Sequence, residues 1–419
     1  MKLNWQRILI LIGFILAVFL IGYLLYYFFL KPAIPAVISP GANVNGAGGV
    51  LPQAGTNTNI QIRQNINGGL AGQQNINVGP PPEVPEEFKA SPVAQGGLTM
   101  TAALTTGRTY QPTLAGDGEN VIYYDQNTGL FYNISPDGRS TPLSDQVFYS
   151  VQDIYWAPDK NKAILKYPDG SAIMYDFTTK KQVTLPSHWK DFSFSPNSSQ
   201  LTFKSMGDSA DNRWLAISNA DGTRAQKIEL LGDKDSTVYP SWSPNGQVVA
   251  MFTEGGDFNR QNLYFVGQNK ENYKSTIIEG RGFEGKWSTA GDRLLYSVYN
   301  SDNGYKPSLW IVEAQGENIG QNRKQLQLET WSDKCTFADN DTIYCAVPQN
   351  LQEASGIFSE ELDNSNCDLY KIDLTSGIRT KIAVPEGNHN IETVMVSEDG
   401  SYLYFNSKTD GRLYKINLK

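Results

Sequence analysis

Histidine is nearly absent from this chain. His188 and His389 are the only two among 419 residues. A serine–histidine hydrolase would need one of them beside a serine in a Gly-x-Ser-x-Gly turn, and no such turn occurs. Nor does any spacing support an imidazole-held metal, and His188, in the word SHWKDFSF, reads as an ordinary loop or strand residue. Cysteine is equally scarce: none precedes Cys335, which excludes a lipid-bearing cysteine at a processed amino terminus. Dense basic clusters are missing too. Residues 1–97 carry five basic and three acidic side chains, so the overall charge of -8 leaves -10 on residues 98–419, a body that repels a phosphate backbone. The acidic words GDSADN (207–212), GDKDS (232–236) and ADNDT (338–342) do not match the D-x-[DN]-x-[DN]-G calcium loop and read as solvated turns. No cofactor or metal is called for by any of these residues.

What the chain does have begins with Ile8–Leu30, 23 residues without a charge. As a helix this run spans roughly 34 Å, enough for a hydrocarbon core of about 30 Å. Lys2 and Arg7 precede it and only Lys31 follows closely, so the positive-inside bias predicts a cytoplasmic tip, one transmembrane signal anchor over residues 1–30, and everything later outside the cytoplasmic membrane. A cleaved signal peptide would have a shorter apolar region ending in small residues, and KPAIPAV offers no good site. Residues 31–97 are rich in Gly, Pro, Asn and Gln, with the words RQNIN and QQNIN and the end GPPPEVPEE. Such composition buries too little apolar surface to offset chain entropy and predicts a disordered, flexible linker.

The phrase SWSPNGQVVAMF (241–252) recurs in seven versions, with origins at Leu114, Trp156, Phe194, Trp242, Trp287, Phe337 and Val396 and a mean spacing of 47 residues. Pro, Asp or Asn, and Gly together make a tight turn. Apolar pairs two residues apart follow it, such as Leu201/Phe203, Val249/Met251 and Leu403/Phe405, which places both side chains of a pair on one face of a strand. A third strand follows in each copy (GLFYNI, AIMYDF, WLAIS, NLYFV, SLWIV, DLYKI, RLYKI) and a fourth in six of them. The seventh copy lacks its fourth strand, and LTMTAALT (98–105) precedes the first copy as a spare. The prediction is an all-β fold over residues 98–419: a seven-bladed β-propeller of four-stranded antiparallel blades, with strand 98–105 closing the last blade. An open solenoid of the same units would expose an uncapped edge at each end. Trp242 is expected to pack between blades.

The W-S-P-[DN]-G phrase with the following L-Y-x-[VI] strand resembles the WD40-like repeat of the TolB carboxy-terminal propeller, related also to the propeller of prolyl-oligopeptidase-type peptidases. The resemblance spans residues 98–419, with the copies at Leu114 and Phe337 departing most. It implies a periplasmic or surface protein that works by binding other proteins, and it transfers no functional residue.

All three cysteines fall in the sixth copy. Cys335 and Cys345 are symmetric about the turn FADND and are expected to form a disulfide across a hairpin outside the cytoplasm, leaving Cys367 free or intermolecular. The rival pair is Cys345 with Cys367, at the base of the insertion VPQNLQEASGIFSEELDNSN (347–366). That insertion, carrying Ile357, Phe358 and Leu362 among acidic residues, is the expected partner contact. Two functions follow: a scaffold that binds a protein or an envelope polymer, or a channel-site enzyme, lyase or glycan hydrolase, which would gather titratable groups around the axis.

Overall fold

The computed structural model of the protein describes residues 19–20 and 89–419 apart from Asn272, and of Leu362 the backbone only. Apart from Phe19 and Leu20, the predicted span 8–30 and residues 31–88 of the predicted linker lie outside the described residues. Among those described, no helix is long and apolar enough to cross a membrane.

Seven antiparallel sheets follow one another along the chain, each begun by one repeat. Their first strands are Thr109–Leu114, Asp153–Trp156, Trp189–Phe194, Val238–Pro240, Arg281–Trp287, Cys335–Phe337 and Ile391–Val396. First strands of neighbouring blades run beside one another and line the axis. The repeat origin ends the first strand in six blades and lies two residues past it in blade four, and the Pro/Asp/Gly turn leads into the second. Trp156, for example, closes its strand and Lys162–Lys166 comes next.

The apolar pairs after the turn are fully buried: Leu201, Phe203, Val249, Leu294, Tyr296, Leu403 and Phe405 all stand at 0% exposure. The sequence pattern implies one buried face per strand, whereas both faces are covered. Each blade is flanked on both sides, and seven apolar clusters fill the seven gaps between consecutive blades. One joins Leu185 of blade two to Phe203 of blade three, and another joins Leu413 of blade seven back to Val121 of blade one. Trp242 lies between blades three and four, against Leu215 and Val249. A buried Leu or Phe contributes about 1.5–3 kcal/mol, so the gaps rather than isolated blades hold the stability.

The turns are joined as well. Ser243 Oγ donates to Asn245 Oδ1 at 2.6 Å, and Asn245 Nδ2 reaches Gly291 O of the next blade at 2.7 Å. Asn340 Nδ2 reaches Asp292 Oδ2 at 3.1 Å, and Glu398 N donates to Gly118 O at 2.8 Å, joining blade seven to blade one. Gly291 has φ +73°, and a Cβ there would stand 2.6 Å from Asn245 N. Only glycine suits that contact.

Ring closure corrects the expectation of one strand over 98–105. Ala102–Ala103 pairs antiparallel with Leu413–Asn417 as the fourth strand of blade seven. Leu98–Thr99 instead adds a fifth, parallel strand to Arg379–Pro385 of blade six. The segment crosses from one blade to the next, so two residues serve each edge. Thr101 Oγ1 donates to Glu386 O at 3.0 Å at the crossing, and Leu413 N donates to Thr105 Oγ1 at 3.1 Å beyond it.

Candidate functional site

At the end of the channel opposite the turns, the first strands begin, and five of the seven blades bring titratable residues there. Asp153 of blade two meets Lys166 at 3.1 Å, and Asp191 of blade three meets Lys204 at 2.7 Å. Blade five contributes Glu284 and Lys286, blade six Asp333 and Lys334, and blade seven Glu392. A cavity of about 210 Å³ opens among Glu284, Asp333, Lys334, Asp363, Glu392 and Lys408, with Trp331 in its wall. Titratable groups of blades five to seven and the strap therefore gather around one cavity, an arrangement missing from any single sequence motif. Positions such as Asp153 and Asp191, Glu284 and Asp333, or Asp333 and Glu392 lie on different blades and carry no common spacing in sequence.

The cavity is electrostatically uneven. Glu284 keeps solvent contact within the channel yet is walled by protein, and this desolvation, together with the facing Asp333, pushes its carboxyl up to about 7. Its hydrogen bond from Ser297 Oγ is long, 3.5 Å. Burial also raises the Asp333 carboxyl. Desolvation lowers the Lys286 ammonium, whose Nζ donates to Cys335 O at 2.5 Å and Asp333 O at 3.3 Å and so ties blade five to blade six.

The long insertion reaches this same mouth. Val347 and Pro348 extend the second strand of blade six, leaving 349–366 as the connection, with one helical turn at Ser359–Leu362. It is bonded on three sides. Ala354 N donates to Gly304 O and Gly356 N to Tyr305 O of blade five, both at 2.8 Å. Asn390 Nδ2 of blade seven donates to Asp363 O at 2.6 Å. Asp363, 6% exposed, accepts from Lys334 Nζ at 2.8 Å through Oδ2, while its Oδ1 has no hydrogen-bond partner among the described residues. Ile357 and Phe358 point outward at 43% and 52% exposure, and Leu362 ends the helical turn. The predicted contact residues thus sit on an ordered strap at the channel mouth, and Asp363, which links strap to mouth, had no distinguishing signal in the sequence.

The remaining expected features are placed as follows. A disulfide joins Cys335 and Cys345, which stand directly opposite in register with Cα atoms 4.0 Å apart. Cys367 is a buried free thiol opposite Pro348, while Cys345 faces Tyr370. Three residues of strand, about 10 Å, separate the rival pair, beyond disulfide reach. His188 is exposed and His389 buried between Glu386 O and Ser407 in another blade, so the two do not meet. Two of the three acidic words are occupied locally: Asp233 and Asp235 face Arg213, and Asp341 pairs with Arg293 at 2.9 Å. Among the described residues no three His, Cys, Asp or Glu side chains could hold a metal ion.

No protein-family profile matches the chain. Among solved structures it is similar to an oligogalacturonate lyase in complex with manganese, at 13% identity over 76% of this chain and 93% of that one, with a TM-score of 0.51. It is similar also to the Swd1 β-propeller domain of Myceliophteria thermophila Cps50, at 11% identity over 76% and 100% of the two chains and a TM-score of 0.50. TolB from Acinetobacter baumannii matches at 13% identity over 64% and 66%, with a TM-score of 0.43. At these identities the likeness is one of fold. The chain is a seven-bladed β-propeller.

Proposed function

We propose that this protein is a binding scaffold, a propeller held outside the cytoplasmic membrane by residues 8–30 and a linker over 31–97, which docks a protein on the face carrying the blade-six strap. The observation that carries the reading is the pair Ile357 and Phe358. Two large apolar side chains are held exposed on a segment that three blades keep ordered, and such anchors are what interfaces bury. At the channel end, Lys166–Asp153 of blade two, Lys204–Asp191 of blade three and Lys334–Asp363 of blade six and its strap pair internally, as charges that brace a ring do. The test is a photoreactive residue at position 358 in intact cells, with position 378, another exposed apolar site, as the reference. One dominant protein adduct at 358 and not at 378 supports the reading. Adducts to an envelope polymer, or none above the reference, overturn it. Release of the chain from membranes on deleting residues 1–30 tests the anchor.

A second reading has its own support. Glu284 and Asp333 both hold protons more tightly than ordinary carboxyls, as a general acid must. A polyuronate substrate is disfavoured by the acidic mouth, so this reading points to a neutral glycan. Turnover of soluble neutral envelope glycans, abolished by Glu284→Gln, would establish it.

A further inference from the structure

We propose that the cavity at the channel mouth receives the ammonium or guanidinium group of a lysine or arginine side chain presented by the protein partner. The inference rests on the protein-binding reading above and specifies what that partner must carry.

The first ground is a charge imbalance. The cavity is lined by the carboxyl groups of Glu284, Asp333, Glu360, Asp363 and Glu392 against Lys334 and Lys408, with the Lys286 ammonium beside Asp333. Lys334 is already committed to Asp363 at 2.8 Å. Among the described residues, Glu284, Asp333, Glu360 and Glu392 have no ion pair, and Glu392 has only the Asn406 amide, at 3.0 Å. The second ground is independent of that count. Asp363, 6% exposed, is among the residues lining the cavity, and its buried Oδ1 has no donor among the described residues. A buried carboxylate oxygen left unsatisfied is unfavourable, and a donor entering the cavity satisfies it.

Size and geometry then narrow the donor. A volume of about 210 Å³ is below the ~300 Å³ at which small-molecule sites begin and suits one long side chain. A metal ion is disfavoured because no three ligating groups come together among the described residues. The apolar stem of Lys or Arg would lie along Trp331 while its charged head reaches the acids.

The cation also stabilises ionised carboxyls. Glu284 is faced by Asp333 and Lys334 from blade six, Ser297 and Lys286 from its own blade, Glu360 and Asp363 from the strap, and Glu392 and Lys408 from blade seven. Its carboxyl sits near neutrality, so binding expels a proton and tightens as pH rises from 6 to 8.

The test is calorimetric titration of the full-length chain with acetyl-Gly-Lys-Gly-amide, its Arg and Gln counterparts, and spermidine. Saturable binding of the Lys or Arg peptide but not the Gln peptide, stronger at pH 8 than at pH 6, is expected. The Glu284→Gln/Asp333→Asn variant should bind at least about tenfold more weakly with its melting temperature retained. Equal binding of Lys and Gln peptides, unchanged binding by the variant, or binding of spermidine alone overturns the inference. If these fail while the adduct at position 358 persists, the cation site is wrong and the docking face stands. If the adduct fails as well, the binding-protein reading falls with it.

Discussion

At the end of the ring where first strands turn into second strands, Asn245 holds Gly291, Asn340 holds Asp292 and Glu398 holds Gly118. Neighbouring turns satisfy one another there. At the opposite end, Glu284 and Asp333 crowd like charges, Asp363 leaves an oxygen unpaired, and one blade sends a strap across its neighbours. The turn end is written by the repeat, whereas the mouth is written by departures from it. Groups tuned only for stability would not be left this way, and function belongs with the departures.

Three changes test that contrast, in descending size. Lys334→Ala removes the partner of a buried carboxylate and should cost about 3–5 kcal/mol in denaturant unfolding at pH 7. The double change Lys334→Met/Asp363→Leu should recover most of that loss, and a single-variant loss below about 1 kcal/mol would deny the strap its structural role. Gly291→Ala tests the turn end. With φ +73° and Asn245 N at 2.6 Å from the new Cβ, it should lose about 1–3 kcal/mol without altering the adduct at position 358.

Glu284→Gln is the smallest and carries a sign. The folded carboxyl titrates near 7, above its unfolded value of about 4.3, so the protonated form is favoured on folding. Stability is therefore lost as pH rises between those values. The Gln variant should match its parent at pH 5 and melt about 1–2 °C higher at pH 8. A higher melting temperature at pH 5 instead would reverse the assignment.

The blades could be read from sequence because every turn and apolar pair repeats at one spacing, and local chemistry dictates each. Cys335 and Cys345 could be placed for the same reason, since a hairpin fixes its own register. Burial of both strand faces was not readable, because it arises from neighbouring blades rather than from the strand. The split of residues 98–105 across two blades escaped likewise: edge pairing depends on where the ring closes. The mouth was least legible. Glu284, Asp333 and Glu392 meet only through the curvature of the ring, and Asp363 is one acidic residue among several in its loop.

Ala102–Ala103 and Leu98–Thr99 give the closure a mechanical meaning. The segment that shuts the ring leads directly to the amino-terminal part of the chain, so tension applied upstream of residue 89 falls first on this seam. Ala94 N, bonded to Asn417 O of blade seven, and Gly96 N, bonded to Ile382 O of blade six, meet the load ahead of Leu98–Thr99 and Ala102–Ala103. A propeller strung this way would yield under force at its seam, with blades one to five still closed against one another.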